Sequence, residues 1–60
     1  MEKLLSYFGY QHLPERLQAV SKPFHDLAHK VAELPGDANE RLQALRKLLE
    51  AKDCAVRAMI

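Results

Sequence analysis

Apolar residues return along this chain at alternating steps of four and three. Between Leu13 and Leu34 they fall at Leu13, Leu17, Val20, Phe24, Leu27, Val31 and Leu34. That rhythm marks a helix laying one seam against another helix. A second series, Leu42, Leu45, Leu49, Lys52, Val56 and Met59, keeps the same alternation with a lysine in the seam. Between the two lies Pro35-Gly36-Asp37, the clearest turn in the chain. Asp37 followed by Glu40 resembles a capping box, with Asp in place of the usual Ser or Thr. The pattern predicts an all-α fold: a helix over 14–34, a turn at 35–37 and a helix over 38–58, forming an antiparallel two-helix hairpin within a single domain.

Pro23 interrupts the first series. It lacks an N–H and crowds the carbonyl of Ala19. Two arrangements follow from it: a bend near residue 23, or two helices with Ser21 capping a new start and Pro23 in its first turn. The stripe passes through Pro23 without a skip, which favours one bent helix. Upstream, Leu4, Leu5 and Phe8 predict a short N-terminal helical segment over 2–8, stopped by Gly9. Gly9 to Pro14 reads as a turn, and Pro14 and Glu15 suit the first turn of the long helix. Tyr7, Phe8 and Tyr10 gather at this entry. They either cover the end of the hairpin or offer stacking faces beside a helix N-terminus.

Length changes the picture. A chain of sixty residues buries only about 60% of the surface it exposes when unfolded. Ordering costs of roughly 1.5 kcal/mol per residue then nearly cancel the hydrophobic gain. Cys54 is the only cysteine, so no internal disulfide is available as a staple. The second helix also carries apolar residues beyond its seam: Leu48 and Ala55, and a column of Ala44, Ala51 and Ala58. A stripe that wide exceeds what one partner helix covers. The excess face is expected to meet another copy of the chain.

Charge and motif spacing narrow the chemistry. Nine Lys and Arg against eight Asp and Glu leave a net charge of +1, short of the basic excess expected of a protein that grips polymeric nucleic acid. The chain has neither an apolar run of about 18 residues nor a signal-peptide pattern, which predicts a soluble intracellular protein without a membrane partner. His25 and His29 stand four apart on one helical face, but Cys54 falls on the outward side of the second helix and no fourth ligand has motif spacing. No metal is expected, and no cofactor. Nor is there a Gly-rich phosphate loop, a nucleophile motif or a carboxylate pair with an obvious cleft, so no enzyme is expected. Asp26 near His29 reads as an intrahelical pair. Lys22, His25 and His29 share the face opposite the seam. That face is either simply solvated or an anion site at a subunit boundary. In the second case Lys22 supplies charge and Tyr7 and Tyr10 supply stacking, with Arg46, Lys47 and Arg57 as further cations from a neighbouring copy.

Three segments carry a more specific likeness: Tyr10-Gln-His-Leu-Pro14, Leu17-Gln-Ala-Val-Ser-Lys-Pro-Phe24, and the run from Arg41 to Ala58. Together they resemble a phage-encoded helical-hairpin domain shared by the anti-CBASS and anti-Thoeris cyclic-nucleotide sponge proteins. The likeness covers nearly the whole chain, although the chain is shorter than the better-known sponges between Tyr10 and Lys22 and beyond the second helix. It implies a homohexamer in the cytoplasm of an infected bacterial host. Such proteins sequester cyclic dinucleotides, and in some members cyclic trinucleotides, without cleaving them. By motif position the resemblance places a base-stacking tyrosine at Tyr10 and a phosphate-binding lysine at or within one residue of Lys22. An arginine of a separate trinucleotide site falls near Arg46. Tyr7 and His12, on either side of Tyr10, complete the candidate nucleotide-binding set.

Overall fold

The computed structural model describes residues 2–60 and is all-helical over that range. Three helices follow in order: α1, Glu2–Ser6; α2, Glu15–Ala32; and α3, Ala38–Ala58. Helices α2 and α3 pack along each other, and α1 lies against both. Arg16, at the start of α2, donates through Nη1 to the carbonyl of Met59 beyond the end of α3 at 2.8 Å. With the turn joining their other ends, this contact makes the pair antiparallel.

Both helices start where local chemistry places them. Pro14 precedes α2 with no side-chain cap, and its carbonyl accepts from the amides of Leu17 and Gln18. Asp37 caps α3 by accepting the Asn39 N–H at 2.9 Å. The return bond from Glu40 that would complete a capping box does not form among the described residues, and Glu40 is exposed. The long helix ends earlier than its apolar pattern implies. It closes at Ala32, and Glu33 and Leu34 turn out of it, their N–H groups donating hydrogen bonds to the carbonyls of Lys30 and Val31. Gly36 then adopts φ +112°, a backbone conformation that side chains other than glycine's oppose. Arg41 secures this turn from the first part of α3, donating through Nη1 to the carbonyls of Leu34 (2.8 Å) and Gly36 (3.0 Å).

Helix α2 is continuous through Pro23, which rules out two separate helices. Its buried stripe, however, differs from the simple 4-3 seam. Leu17, Ser21 and Ala28 are buried, with Phe24, Val31 and Ala32 half-buried beside them. Leu27, Leu34 and Met59, all expected in the seam, are instead 48%, 53% and 46% exposed. The reason is Phe8. Its ring is fully buried and clusters with Ala28 and Leu45, packed around by Leu4, Leu5, Phe24, Leu48 and Leu49. The small Ala28 admits a phenyl ring from the N-terminal segment, and the buried face turns from the residue 27 side to the residue 28 side.

A five-residue helix has no stability of its own. Phe8 anchors α1 through apolar burial, and α3 adds a polar clamp: Lys52 Nζ donates to the Tyr7 carbonyl at 3.0 Å and pairs with Asp53 at 3.3 Å. The lysine in the second seam thus serves the carbonyl-rich end of α1. The N-terminal segment also covers part of α3's excess apolar surface, since Leu48 packs against the Phe8 cluster and Ala55 is half-buried. Ala44, Ala51 and Ala58 stay exposed.

Candidate functional site

Docking α1 beside α2 leaves an open groove of about 350 Å³ between them, lined by Glu2, Leu5, Ser6 and Gly9 on one side and by His25 and His29 on the other. Its size falls at the lower end of the range for small-molecule pockets. Periodicity places both histidines on a solvated face. The tertiary fold makes them a wall, because the N-terminal segment returns alongside them.

Tyr10 stands at the His25 edge of the groove without lining it. Its ring meets His25 edge-on with centroids 5.0 Å apart, and His25 in turn lies 4.5 Å from the His29 ring. The segment carrying Tyr10 is pinned to α2 by Gln18, whose Nε2 donates to the carbonyls of Leu13 (2.8 Å) and Gln11 (3.3 Å). The Leu13 amide closes the turn onto the Tyr10 carbonyl at 3.0 Å. Tyr10 therefore sits on a fixed turn, an arrangement that reduces the entropy lost when a ring stacks on a ligand.

Polar contacts run along α2 from this rim. Lys22 Nζ lies 2.9 Å from Asp26 Oδ2, and His25 Nδ1 lies 3.0 Å from Asp26 Oδ1. The Asp26 hydrogen bond and charge, with a smaller electrostatic contribution from nearby Tyr10, hold the Lys22 ammonium above its ordinary pKa. The hydrogen bond from His25, then that from Lys22, holds the Asp26 carboxyl below its usual range. Asp26 thus pairs with its neighbours at 22 and 25, and the expected pairing with His29 does not form.

The candidate residues separate into two groups. Tyr10 and Lys22 both adjoin the His25–Asp26 pair, Tyr10 through its ring and Lys22 through the Asp26 carboxylate, and neither lines the groove itself. Tyr7, His12 and Arg46 do not join them. The Tyr7 ring is exposed and its role here is backbone, through the carbonyl bonded to Lys52. His12 and Arg46 are exposed and stand outside the groove lining. The three aromatics at the entry have parted: Phe8 enters the core, Tyr10 meets a histidine, and Tyr7 faces solvent. The sequence pattern alone did not show His25 as a ring partner for Tyr10, nor Asp26 as the shared partner of Lys22 and His25. The i, i+3, i+4 spacing of Lys22, His25 and Asp26 was the available signal.

Among the described residues no group of three or more His, Cys, Asp or Glu side chains is arranged to hold a metal ion. Cys54 is exposed and unoxidised, and Arg57 Nη2 lies 3.3 Å from its sulfur. No helix of the described residues is long and apolar enough to cross a membrane. The chain matches no family model, no curated protein and no solved structure.

Proposed function

We propose that this protein is a phage anti-defence sponge that binds cyclic oligonucleotide immune signals without cleaving them, so that the effector they activate goes unstimulated. Cyclic dinucleotides are the first class of ligand, and cyclic trinucleotides the second. The observation that carries the reading is a run of contacts centred on the groove-lining His25: the Tyr10 ring packs against it, and the Lys22 ammonium shares the Asp26 carboxylate with it. A nucleotide asks for a flat aromatic face for the base and a cation for the phosphate, and stacking alone contributes about 1–3 kcal/mol per base. Glu2 in the groove lining adds negative charge, so in this reading the phosphate goes to the cation beside His25, Lys22. The site is open, and two-ring cyclic ligands span beyond one such groove. A homohexamer that brings grooves of neighbouring copies together supplies the remainder, with the exposed Ala44, Ala51 and Ala58 column as the packing face.

Isothermal titration against a panel of cyclic di- and trinucleotides tests this reading. Micromolar or tighter binding that is lost in a Tyr10→Ala, Lys22→Ala double variant supports it. No binding by any member at high micromolar concentration refutes it, as does binding that the double variant leaves intact.

A second reading is a non-enzymatic helical interaction or oligomerisation module. It is favoured by the exposure of Leu27, Leu34, Met59 and Tyr7, large side chains that a partner surface would cover. Light scattering together with titration separates the two: an oligomer that binds a cyclic nucleotide supports the sponge, and a protein of any oligomeric state that binds none supports the module.

A further inference from the structure

The polar contacts on α2 have an unusual convergence. Lys22 and His25 reach the two different oxygens of one carboxylate, Asp26 Oδ2 at 2.9 Å and Asp26 Oδ1 at 3.0 Å. An ionised carboxylate only accepts, so His25 Nδ1 carries the proton in this contact. A phosphodiester presents the same features: two unesterified oxygens, one negative charge and acceptor chemistry only. The two donors are thus already placed to grip a two-oxygen anion. The Asp26 side chain is 47% accessible and that of Lys22 56%, while His25 is more sheltered at 28%. Exchange with solution needs no unfolding. The Tyr10 ring against His25 puts a stacking surface beside the exchange point.

We propose that Asp26 is an internal stand-in for the ligand's phosphate, and that it sets the affinity of the site by competing for Lys22 and His25. This rests on the reading of the α1–α2 groove as a nucleotide site and adds His25 as the second phosphate donor. Binding then proceeds by displacement: the phosphate takes the two donors, and the Asp26 side chain rotates into water. The cost is one exposed ion pair, which is small, plus repulsion between the released carboxylate and the incoming anion. Both disappear when Asp26 loses its charge. The site is therefore weaker than its donors allow, and strengthened by removing an acidic residue that no ligand needs to touch.

The test measures binding of a cyclic dinucleotide, with inorganic phosphate as a second probe, by the unmodified protein, Asp26→Asn and Asp26→Ala. The proposal expects both variants to bind about fivefold more tightly, on the scale of one exposed ion pair, and His25→Ala to lose much of the gain when combined with Asp26→Ala. Nitrogen NMR supplies a readout that a merely structural role leaves still: on ligand addition the His25 Nδ1 resonance shifts in the unmodified protein, as its partner changes from carboxylate to phosphate. Weaker or unchanged binding in both Asp26 variants overturns the proposal while leaving the sponge reading standing. Failure of every variant to bind either probe overturns both. Circular dichroism confirms that the variants keep their helices, and Asp26→Ala guards against an Asn amide that mimics the lost contact.

Discussion

Truncating Phe8 to alanine removes the one large side chain that joins all three helices. The ring is fully buried, and among the described residues only Ala28 and Leu45 share its hydrophobic cluster at that depth. Buried Phe→Ala changes cost about 3–5 kcal/mol, including the cavity left behind. The neighbours here have little means of collapsing into the space, because Ala28 is already small and Leu45 is fixed on α3. Sixty residues at typical stabilities hold roughly 3–9 kcal/mol in total. The expected loss is therefore a large share of the whole. Urea denaturation followed at 222 nm measures it, run at several protein concentrations so that self-association is separated from intrinsic stability. Phe8→Leu serves as the control and is expected to cost less than half as much. A Phe8→Ala loss below about 1 kcal/mol, small for a buried ring, refutes the claim that Phe8 organises the core. The same outcome refutes the explanation offered for the rotated seam of α2.

Three further outcomes follow from individual contacts. Ser21 is fully buried and its hydroxyl has no hydrogen-bond partner among the described residues; Ser21→Ala should raise the urea midpoint, by about 1 kcal/mol in stability, and a loss of similar size would show that the hydroxyl is satisfied in the assembled protein. Lys52→Met keeps the apolar stem of the side chain but removes the clamp on the Tyr7 carbonyl. Hydrogen exchange should then quicken across residues 2–8 with little change in α3, and unchanged protection of the N-terminal segment would argue against the clamp. Asp26 has its pKa lowered in the folded state, chiefly by the hydrogen bond from His25 and then by that from Lys22. Its contribution is present above the unfolded value of 3.8 and is lost as pH falls through the lower folded value. Thermal melts of Asp26→Asn between pH 2 and pH 6 should therefore lose less stability on the acid side than the unmodified chain, and parallel curves would contradict the assignment.

Much of the helical framework was legible from local chemistry. Pro35-Gly36-Asp37 marks the turn because only the glycine there takes a positive φ and only the aspartate caps α3. The bounds of α3, 38–58, follow from that cap and from a heptad series. The ends of α2 were less legible: its stripe runs on to Leu34, whereas hydrogen bonding closes the helix at Ala32. An apolar residue just past a helix continues the pattern without continuing the backbone.

What the sequence determined by itself is the set of elements: two long helices, a turn and a short apolar segment ahead of them, each specified by neighbours a few residues apart. The tertiary structure alone decided which face is inside and which side chains border a groove. Leu27 is more apolar than Ala28, so a periodic reading seats Leu27 in the seam; Phe8 needs a small residue beneath its ring, so the fold buries Ala28 and exposes Leu27. The same packing carries α1 alongside His25 and His29, turning a polar helical face into one wall of a groove. Periodicity describes a helix against an average partner. The partner here includes a ring from twenty residues upstream, and contacts at that separation are set by shape and volume.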